Sequence, residues 1–346
     1  MNSSTSSFEK GARLSWSRWI LIFVSVTIVS SLALLGAVVV SDPFSTGRLT
    51  PITRIDFIGS RLYASAARIR VPDFDAAIFG NSHAVRIVPE NLTKSSGRQF
   101  VMLAVEGTWP QEHMFLMRMF DRPRRDRSPV FVLVLDALLC IPQKPPGRPG
   151  AALPNWLYEP STGGYLANVL SPYSIRMAVQ RLQVMAGWAS GGRADGYTFN
   201  PTINSNIAML PKLFAAAQPT IAPPADAPFP YLDDVEQTMR GLSPDSIVLL
   251  LFTPVHWNQL PAAGSPADAR MAACKSRAAE VARSRPKGEL IDLRVDGPKV
   301  RERDNFFDPT HYKDSITRDI EAAIAERVKA LSTPRVNTAH AAGTSK

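Results

Sequence analysis

Five short apolar runs alternate with longer segments of helical length between positions 73 and 332. The runs are partly β-branched and apolar at successive positions, which is typical of strands buried on both faces of a sheet. Alternating strands and helices favour a mostly parallel sheet covered on both faces, so we predict an α/β fold, a three-layer α/β/α sandwich. The predicted strands are 76–79, 100–104, 130–135, 247–252 and 289–293, and the predicted helices are 110–120, 233–240, 267–284 and 315–331.

A longer apolar run, 19–40, precedes this pattern and contains no charged residue. About 20 apolar helical residues span the roughly 30 Å hydrocarbon core of a bilayer, so the run predicts one transmembrane helix. A cleavable signal peptide, with a shorter apolar region of roughly 7 to 15 residues, is the alternative interpretation. Basic residues precede the run, and the positive-inside rule then places residues 1–18 in the cytoplasm. The rest of the chain would lie outside the cytoplasmic membrane, in the periplasm of a Gram-negative source.

These features divide the chain into an anchor, an α/β domain and flanking segments. A segment rich in Pro, Gly and Ala, 141–230, interrupts the alternation and is interpreted as an insertion over one edge of the sheet, with an amphipathic helix at 174–188. The predicted parts are a cytoplasmic tail at 1–18, a transmembrane helix at 19–40, a linker at 41–72 with a short helix at 60–69, the α/β domain at 73–332 and a disordered tail at 333–346.

Composition and charge exclude several classes of protein. With 346 residues and a hydrophobic fraction of 45%, the chain is neither wholly disordered nor a polytopic membrane protein. Its two cysteines exclude a thiolate zinc site, and the sequence leaves open whether Cys140 and Cys274 pair. The net charge of +9 comes without the aromatic and basic surface of a nucleic-acid-binding protein, so no nucleic acid is expected as a partner. No phosphate loop, dinucleotide fingerprint or metal-ligand cluster stands out, so no cofactor and no metal are expected.

The turn after the first predicted strand holds a candidate nucleophile, Ser82. Ligands of open α/β sheets bind beyond the carboxyl ends of the strands, and the sequence Gly-Asn-Ser-His at 80–83 lies at such an end. A glycine and a short polar residue before the serine predict a tight turn that exposes the hydroxyl at a helix start, where backbone N–H groups stabilise an anion. A serine that only caps the helix is the alternative interpretation.

A second candidate group lies near the carboxyl end of the α/β domain. Asp308 and His311 stand three residues apart, after the last predicted strand and before the last predicted helix. An imidazole can take the proton of a serine hydroxyl, and a neighbouring carboxylate can orient that imidazole. A capping or core histidine is the alternative, but the position of these groups on the same predicted rim as Ser82 favours a shared site.

Both segments resemble motif blocks of a known enzyme family. GNSHA at 80–84 and DPTH at 308–311 are similar to the first and last blocks of the SGNH (GDSL-like) hydrolases, and LAVEGT at 103–108 resembles the second block. The blocks follow one another in the family's order, and the resemblance covers the α/β domain. It implies an SGNH-hydrolase-like, flavodoxin-like fold.

The resemblance also implies roles for individual residues. Ser82 would be the nucleophile, His311 the base, and Asp308 the partner that orients the base. The backbone N–H groups of Gly107 and Ser82 would donate hydrogen bonds to the oxyanion. The assignment of a base and an orienting carboxylate agrees with the chemistry expected from the residues alone.

The third block departs from the family's pattern. The strand at 130–135 is followed by Asp136, where the family has an asparagine whose side chain donates to the oxyanion. An ionised carboxylate cannot donate, so Asp136 is not expected to replace that group; Asn81 or Asn258 could supply an amide donor. The Leu-Asp ending is similar to membrane-anchored SGNH-like proteins of polysaccharide O-acetylation and of D-alanine transfer to teichoic acids, which move acyl groups.

Other polar residues are further candidates for contact with a substrate. His83 follows the candidate nucleophile, although a histidine at that place is as easily structural. His256 and Asn258 follow the fourth predicted strand, on the same rim, and could line a pocket. His113 lies beside a glutamate on a predicted helix and is interpreted as a surface residue.

The leading hypothesis is a membrane-anchored, extracytoplasmic serine enzyme. It would form an acyl-Ser82 intermediate and transfer an O-acyl group, with acetyl expected, to an envelope polysaccharide, or hydrolyse an ester on it. A membrane-bound acyl-donor protein is the partner that the resemblance implies. A catalytically silent scaffold that binds glycan or organises an export complex, and a carboxylesterase for small esters or lipids, are the alternatives. The insertion could form a lid, with aromatic residues that stack on sugars or build a small core: Trp156, Tyr158, Trp188 and Tyr197.

Overall fold

The computed structural model describes residues 15–50, 55–144, 153–198, 214 and 222–333. The strands in these residues are β1 (Ala76–Phe79), β2 (Phe100–Met102), β3 (Val130–Leu135), β4 (Ile247–Phe252), β5 (Gly288–Asp292), β6 (Phe306–Asp308) and β7 (His311–Tyr312). The first five form a parallel sheet in the order β2-β1-β3-β4-β5, so the predicted strands and their parallel arrangement are confirmed. The last two form a separate antiparallel hairpin that the sequence did not predict.

The helices alternate with these strands. Most begin with proline at their first position, where the missing N–H group has no intrahelical partner to lose. The four predicted domain helices are confirmed, as are those near 60–69 and 174–188, whereas three short helices, the third, the fifth and the ninth, were not predicted. The helices are α1 (Trp16–Ser41), α2 (Arg61–Arg70), α3 (Pro89–Ser96), α4 (Pro110–Asp121), α5 (Thr162–Val169), α6 (Pro172–Met185), α7 (Pro230–Gly241), α8 (Pro266–Arg283), α9 (Pro298–Arg301) and α10 (Asp314–Ser332).

Alternate residues of the strands point into two separate hydrophobic clusters. Ala77 and Phe79 of β1 belong to a cluster that includes the apolar sides of α4, α7 and α8. Their neighbours Ala76 and Ile78 belong to a second cluster with α3 and α10. Because β1 to β4 are buried at every position, their apolar runs contribute to both clusters, and the sheet holds the turns at its carboxyl edge in fixed positions.

Among the described residues, α1 is the one helix long and apolar enough to cross a membrane. Its large apolar side chains are exposed along most of its length, but Val38 near its end is buried. The segment 41–72, predicted as a linker, is packed into the fold where it is described, since Phe44, Ile58 and Ala66 share a hydrophobic cluster with Val38. The end of the apolar helix is therefore part of the folded domain.

The insertion follows the edge of the sheet at β2. Met102 N donates to Asp195 O at 2.7 Å, so the part of the insertion around Asp195 covers the outer side of the edge strand. Trp156 and Tyr158 pack in the cluster around the end of α1, which makes them core residues of this region, whereas Trp188 is exposed. Both flanks of the insertion and the tail beyond position 333 lie in part or wholly outside the described residues, as does the predicted cytoplasmic tail up to position 14.

A disulfide joins Cys140 to Cys274, which settles the pairing that the sequence left open. Cys140 ends a short 3₁₀ turn after β3, and Cys274 lies on α8, 134 residues further along the chain. The guanidinium of Arg270, also on α8, donates through Nε and Nη2 to Cys140 O at 3.1 and 2.8 Å. The turn after β3 is thus attached to α8 both covalently and by hydrogen bonds.

Candidate functional site

Ser82 lies in the turn that follows β1. Gly80 begins this turn with φ 147°, a conformation that favours glycine, and a Cβ at this position would come within 3.0 Å of the Val134 Cβ. Asn81 Oδ1 accepts a hydrogen bond from His83 N at 3.1 Å, which closes a tight polar turn around the serine. The sequence Gly-Asn-Ser-His therefore folds so that the Ser82 hydroxyl stands at the carboxyl edge of the sheet.

The prediction that a helix starts at Ser82 is wrong. Residues 81–88 form successive turns, and the next helix, α3, begins at Pro89. The Ser82 hydroxyl is hydrogen bonded to His311 and not to a backbone N–H group, so the alternative of a helix-capping serine is wrong as well. The orientation of the backbone N–H groups around Ser82 is set by the turn rather than by a helix.

Asp308 and His311 lie on the β6–β7 hairpin, one at the end of β6 and the other at the start of β7. His311 Nε2 is 2.9 Å from Ser82 Oγ, and His311 Nδ1 is 2.7 Å from Asp308 Oδ2. The three side chains form one hydrogen-bonded chain of hydroxyl, imidazole and carboxylate. In this order the imidazole can take the proton of the hydroxyl while the carboxylate fixes its orientation.

The carboxylate of Asp308 is held by its own hairpin. Its Oδ1 accepts hydrogen bonds from Thr310 N at 2.8 Å, Thr310 Oγ1 at 2.9 Å and His311 N at 3.0 Å. Burial alone would raise the pKa of Asp308. The hydrogen bond and positive charge of His311, together with the hydrogen bonds from Thr310, outweigh burial and hold this pKa well below its usual value. An ionised Asp308 keeps the proton on His311 Nδ1, so the Nε2 lone pair faces Ser82.

His83 packs against the ring of His311. The two ring centroids are 5.0 Å apart and the planes are inclined by 29°. Burial, with the positive charges of His311 and Arg294, lowers the pKa of His83 to about 3, so this ring is neutral at pH 7. Tyr312 Oη donates to His83 O, which ties the turn to the hairpin. These interactions give His83 a structural role beside His311, and its contact with a substrate stays a prediction.

Asp136, directly after β3, binds Asn81. Its Oδ2 accepts a hydrogen bond from Asn81 Nδ2, and its Oδ1 accepts one from Leu138 N at 2.7 Å. The carboxylate is the acceptor in both contacts, so Asp136 donates neither of these hydrogen bonds. An amide nitrogen carries two protons, so Asn81 keeps one N–H beyond the bond to Asp136.

The loop after β2 lies beside the Ser82 turn. Val105 N donates to Gly80 O at 3.0 Å, which continues the pairing of β2 with β1 beyond the strands. Gly107 then adopts φ 70° and is exposed. Among the described residues, no acceptor takes a hydrogen bond from the backbone N–H of Ser82 or of Gly107. Both groups are free to bind a negatively charged oxygen.

His256 and Asn258 contact the hairpin and each other. His256 N donates to Pro309 O at 2.8 Å, between Asp308 and His311, and the His256 ring packs edge-on against Phe306 at 5.5 Å. His256 Nδ1 is 2.7 Å from Asn258 Oδ1. These contacts support the hairpin that carries the acid and the base, and none of them brings either side chain to the Ser82 hydroxyl.

His113 was predicted to be a surface residue, and that prediction is wrong, because the residue is 3% exposed. Its Nε2 is 3.0 Å from Thr108 Oγ1, and the Thr108 hydroxyl donates to Val105 O at 2.5 Å. Since this hydroxyl has a single proton, His113 Nε2 must carry the proton that joins the two side chains. Burial lowers the pKa of His113 to about 4, so a neutral imidazole supports the loop that contains Gly107.

Arg294 is a residue near the site that sequence reasoning missed. It follows β5, is buried, and donates from Nε to Thr253 O at 3.2 Å. Burial lowers the pKa of the guanidinium, while the carboxylates of Asp136 and Asp292 act in the opposite direction. The charge of Arg294 also lowers the pKa of His83, which places a cation within electrostatic reach of the serine turn. The one sequence signal that could have identified Arg294 as a residue near the site is its position just after a parallel strand.

Comparison of the chain with profiles of known protein families found no match. Comparison with curated proteins found no match either. The geometry of the residues themselves is therefore the basis for a functional proposal.

Proposed function

We propose that the chain is a membrane-anchored, extracytoplasmic serine enzyme that transfers an O-acyl group, with acetyl expected, to an envelope polysaccharide, or hydrolyses an ester on it. The observation that carries the proposal is the hydrogen-bonded chain from Ser82 through His311 to Asp308. A free serine hydroxyl is protonated at neutral pH, and such a chain is the arrangement that activates it.

The first half of the reaction acylates the serine. His311 Nε2 takes the proton of Ser82 Oγ while Oγ bonds to the carbonyl carbon of the acyl donor, whose oxygen becomes negatively charged. The charge of Asp308 stabilises the imidazolium that forms. When the carbonyl re-forms, the bond to the leaving group breaks, and His311 gives its proton to that group. An acyl-Ser82 ester remains.

The oxyanion would be bound by the backbone N–H groups of Ser82 and Gly107, which have no acceptor among the described residues. The remaining amide N–H of Asn81 is a third donor, aligned by the hydrogen bond of its other proton to Asp136. In this proposal Asp136 is a positioning residue. It orients Asn81, whose amide takes the place of the asparagine donor that the third block lacks. Removal of one such donor typically lowers the reaction rate by on the order of a hundredfold or more.

The second half of the reaction decides between transfer and hydrolysis. A sugar hydroxyl or a water gives its proton to His311, attacks the acyl carbon, and releases Ser82 Oγ, which recovers a proton from His311. Exclusion of water from the site would favour transfer. In that case an acyl donor must reach Ser82 from the membrane, and a membrane-bound donor protein is the proposed partner.

The fold and topology of the chain support this proposal. The strand order β2-β1-β3-β4-β5 is the flavodoxin-like order of doubly wound folds, and helices belong to the clusters on both faces; both observations support the proposed three-layer, SGNH-like sandwich. By the positive-inside rule, the basic residues before α1 favour an amino end in the cytoplasm and an α/β domain outside, as the proposal requires. The Cys140–Cys274 disulfide fits an oxidising compartment.

A fluorophosphonate tests the activated serine. The full chain in detergent is treated with the reagent and weighed by intact-protein mass spectrometry, beside the variants Ser82→Ala, His311→Ala and Asp308→Asn. We expect one adduct on the wild type, none on the first two variants, and slower labelling of Asp308→Asn, because the amide would no longer fix the tautomer of His311. Asp319→Asn, a change at an exposed ion pair with Lys299, is the matched control and should label like the wild type.

Two results would contradict the proposal. One is a folded wild-type protein that forms no adduct, which would move the assignment to the silent scaffold. The other is an adduct that persists in Ser82→Ala, which would place the reactive nucleophile elsewhere. The intact mass distinguishes the two cases, and peptide mapping of the labelled protein locates the nucleophile in the second.

A further inference from the structure

The helices α5 and α6 carry an apolar surface that the serine site does not use. Outside α1, nine large hydrophobic side chains are exposed in the described residues, and six of them lie on or directly after these two helices. On α6 they recur at intervals of three residues, so they form a stripe along one side of the helix. We call this set the α5–α6 surface, and it consists of Leu166, Leu170, Val179, Leu182, Met185 and Trp188.

The opposite side of the same two helices packs against the end of α1. Val38 of α1 shares a hydrophobic cluster with Tyr165 and Val169 of α5 and with Met177 of α6. Both helices contact α1 directly. The α5–α6 surface therefore adjoins the place where the one apolar helix capable of crossing a membrane enters the folded domain.

A buried ionic group fixes α6 to the end of α1. Arg181 of α6 is fully buried and donates to Asp42 O, directly after α1. Its guanidinium lies 3.7 Å from a carboxylate oxygen of Asp42 and 3.7 Å from one of Asp56. Removal of one partner would leave an uncompensated buried charge, which is strongly destabilising. The position of α6 relative to α1 is thus strongly held.

The charge of this region has a single sign. No aspartate or glutamate occurs between positions 160 and 194, whereas Arg176 on α6 is exposed and stacks over the Tyr173 ring at 5.3 Å. Helices with an apolar stripe rich in Leu and Trp, a basic residue and no acid are typical of segments that lie in the interface of an anionic membrane. Tryptophan in particular is enriched at the level of the lipid head groups.

We propose that the α5–α6 surface lies in the interfacial layer of the membrane that α1 crosses, with Trp188 among the lipid head groups. The bilayer is the occupant because the two helices that carry the surface pack directly against the end of α1, so lipid around that end lies next to both helices without any further partner. The proposal depends on the insertion of α1 but not on the chemistry of Ser82. It gives the insertion a role as a second membrane contact, which fixes the tilt of the α/β domain.

Quenching of tryptophan fluorescence by brominated lipids tests this contact. The full chain is reconstituted into phosphatidylethanolamine and phosphatidylglycerol vesicles, with and without bromine on the acyl chains close to the head groups. The quenched intensity is the difference between the two preparations. We expect this intensity to fall in Trp188→Phe and to stay unchanged in Trp257→Phe, since Trp257 is 48% exposed but lies in the turn after β4, next to His256, and belongs to neither α5 nor α6. Leu182→Asp should lower the quenching of Trp188 by lifting the stripe from the bilayer.

The outcomes separate the possible occupants. A quenched intensity that is the same in the wild type and in Trp188→Phe would overturn the proposal. If a second copy of the chain covers the surface instead, Trp188 stays unquenched, and chemical cross-linking yields dimers that disappear in Leu182→Asp. Reaction with fluorophosphonate is measured on the same samples, so a failure of this proposal is distinguished from a failure of the serine assignment.

Discussion

At the scale of single residues, the site combines one carboxylate that is ionised at neutral pH with two buried neutral imidazoles. Asp308 is ionised because three donors of its own hairpin bind Oδ1 while His311 binds Oδ2. Because the pKa of Asp308 is lower in the folded protein than the 3.8 of an unfolded chain, the ionised carboxylate stabilises the folded protein at pH values above 3.8. This stabilisation is lost as the pH falls below 3.8 towards the folded-state pKa. His83 and His113 are neutral for the opposite reason, since burial disfavours their charged forms.

The buried His113 makes stability depend on pH. Its pKa is lowered from 6.5 to about 4 in the folded protein, so between these values the unfolded chain binds more protons and stability is lost as the pH falls. At 1.36 kcal/mol per pH unit, acidification from pH 7 to pH 5 should remove about 2 kcal/mol through this residue. We expect the stability difference between the wild type and His113→Gln to shrink by that amount, as measured by urea unfolding in detergent. A difference that is equal at both pH values would contradict a neutral, buried His113.

At the scale of elements, the apolar runs allowed the sheet to be predicted almost completely. β1, β3 and β4 are buried on both faces, and such strands have continuous apolar runs that are not typical of exposed loops. The β6–β7 hairpin was missed because strands of three and two residues are too short to show a period, although it carries Asp308 and His311. The turn at 81–88 was wrongly predicted as a helix start, because a glycine followed by a polar residue and a serine occurs both in isolated turns and before helices.

The disulfide acts at this scale as well, because it attaches the turn after β3 to α8. The double change Cys140→Ser and Cys274→Ser should lower the free energy of unfolding by about 2–5 kcal/mol, since the bridge closes a loop of 134 residues in the unfolded chain. Urea unfolding with and without a reductant measures this. The reductant should destabilise the wild type to the same extent and leave the variant unchanged. Equal stability of wild type and variant in oxidising buffer would contradict a structural role for the bridge.

At the scale of the whole molecule, the contacts that sequence could not predict join distant parts. Arg181 binds Asp42 and Asp56 across the insertion and the end of α1, and no local pattern distinguishes this arginine from a surface residue. Arg294 follows β5, and its position after a parallel strand did not by itself predict that its charge reaches the serine turn. By contrast, the meeting of Ser82 with His311 could be predicted, because parallel strands bring the turns at their carboxyl ends to one edge.

The central claim is that Ser82 carries the acyl group between donor and acceptor. The most direct measurement treats the full chain in detergent with a 4-nitrophenyl acyl ester, follows its mass with time, and maps the modified peptide before and after addition of a polysaccharide acceptor. The account predicts an acyl adduct on Ser82 that is absent in Ser82→Ala, accumulates in the wild type, and decays faster when acceptor is present. A wild-type chain that reacts with fluorophosphonate but never carries an acyl group on Ser82 would contradict it.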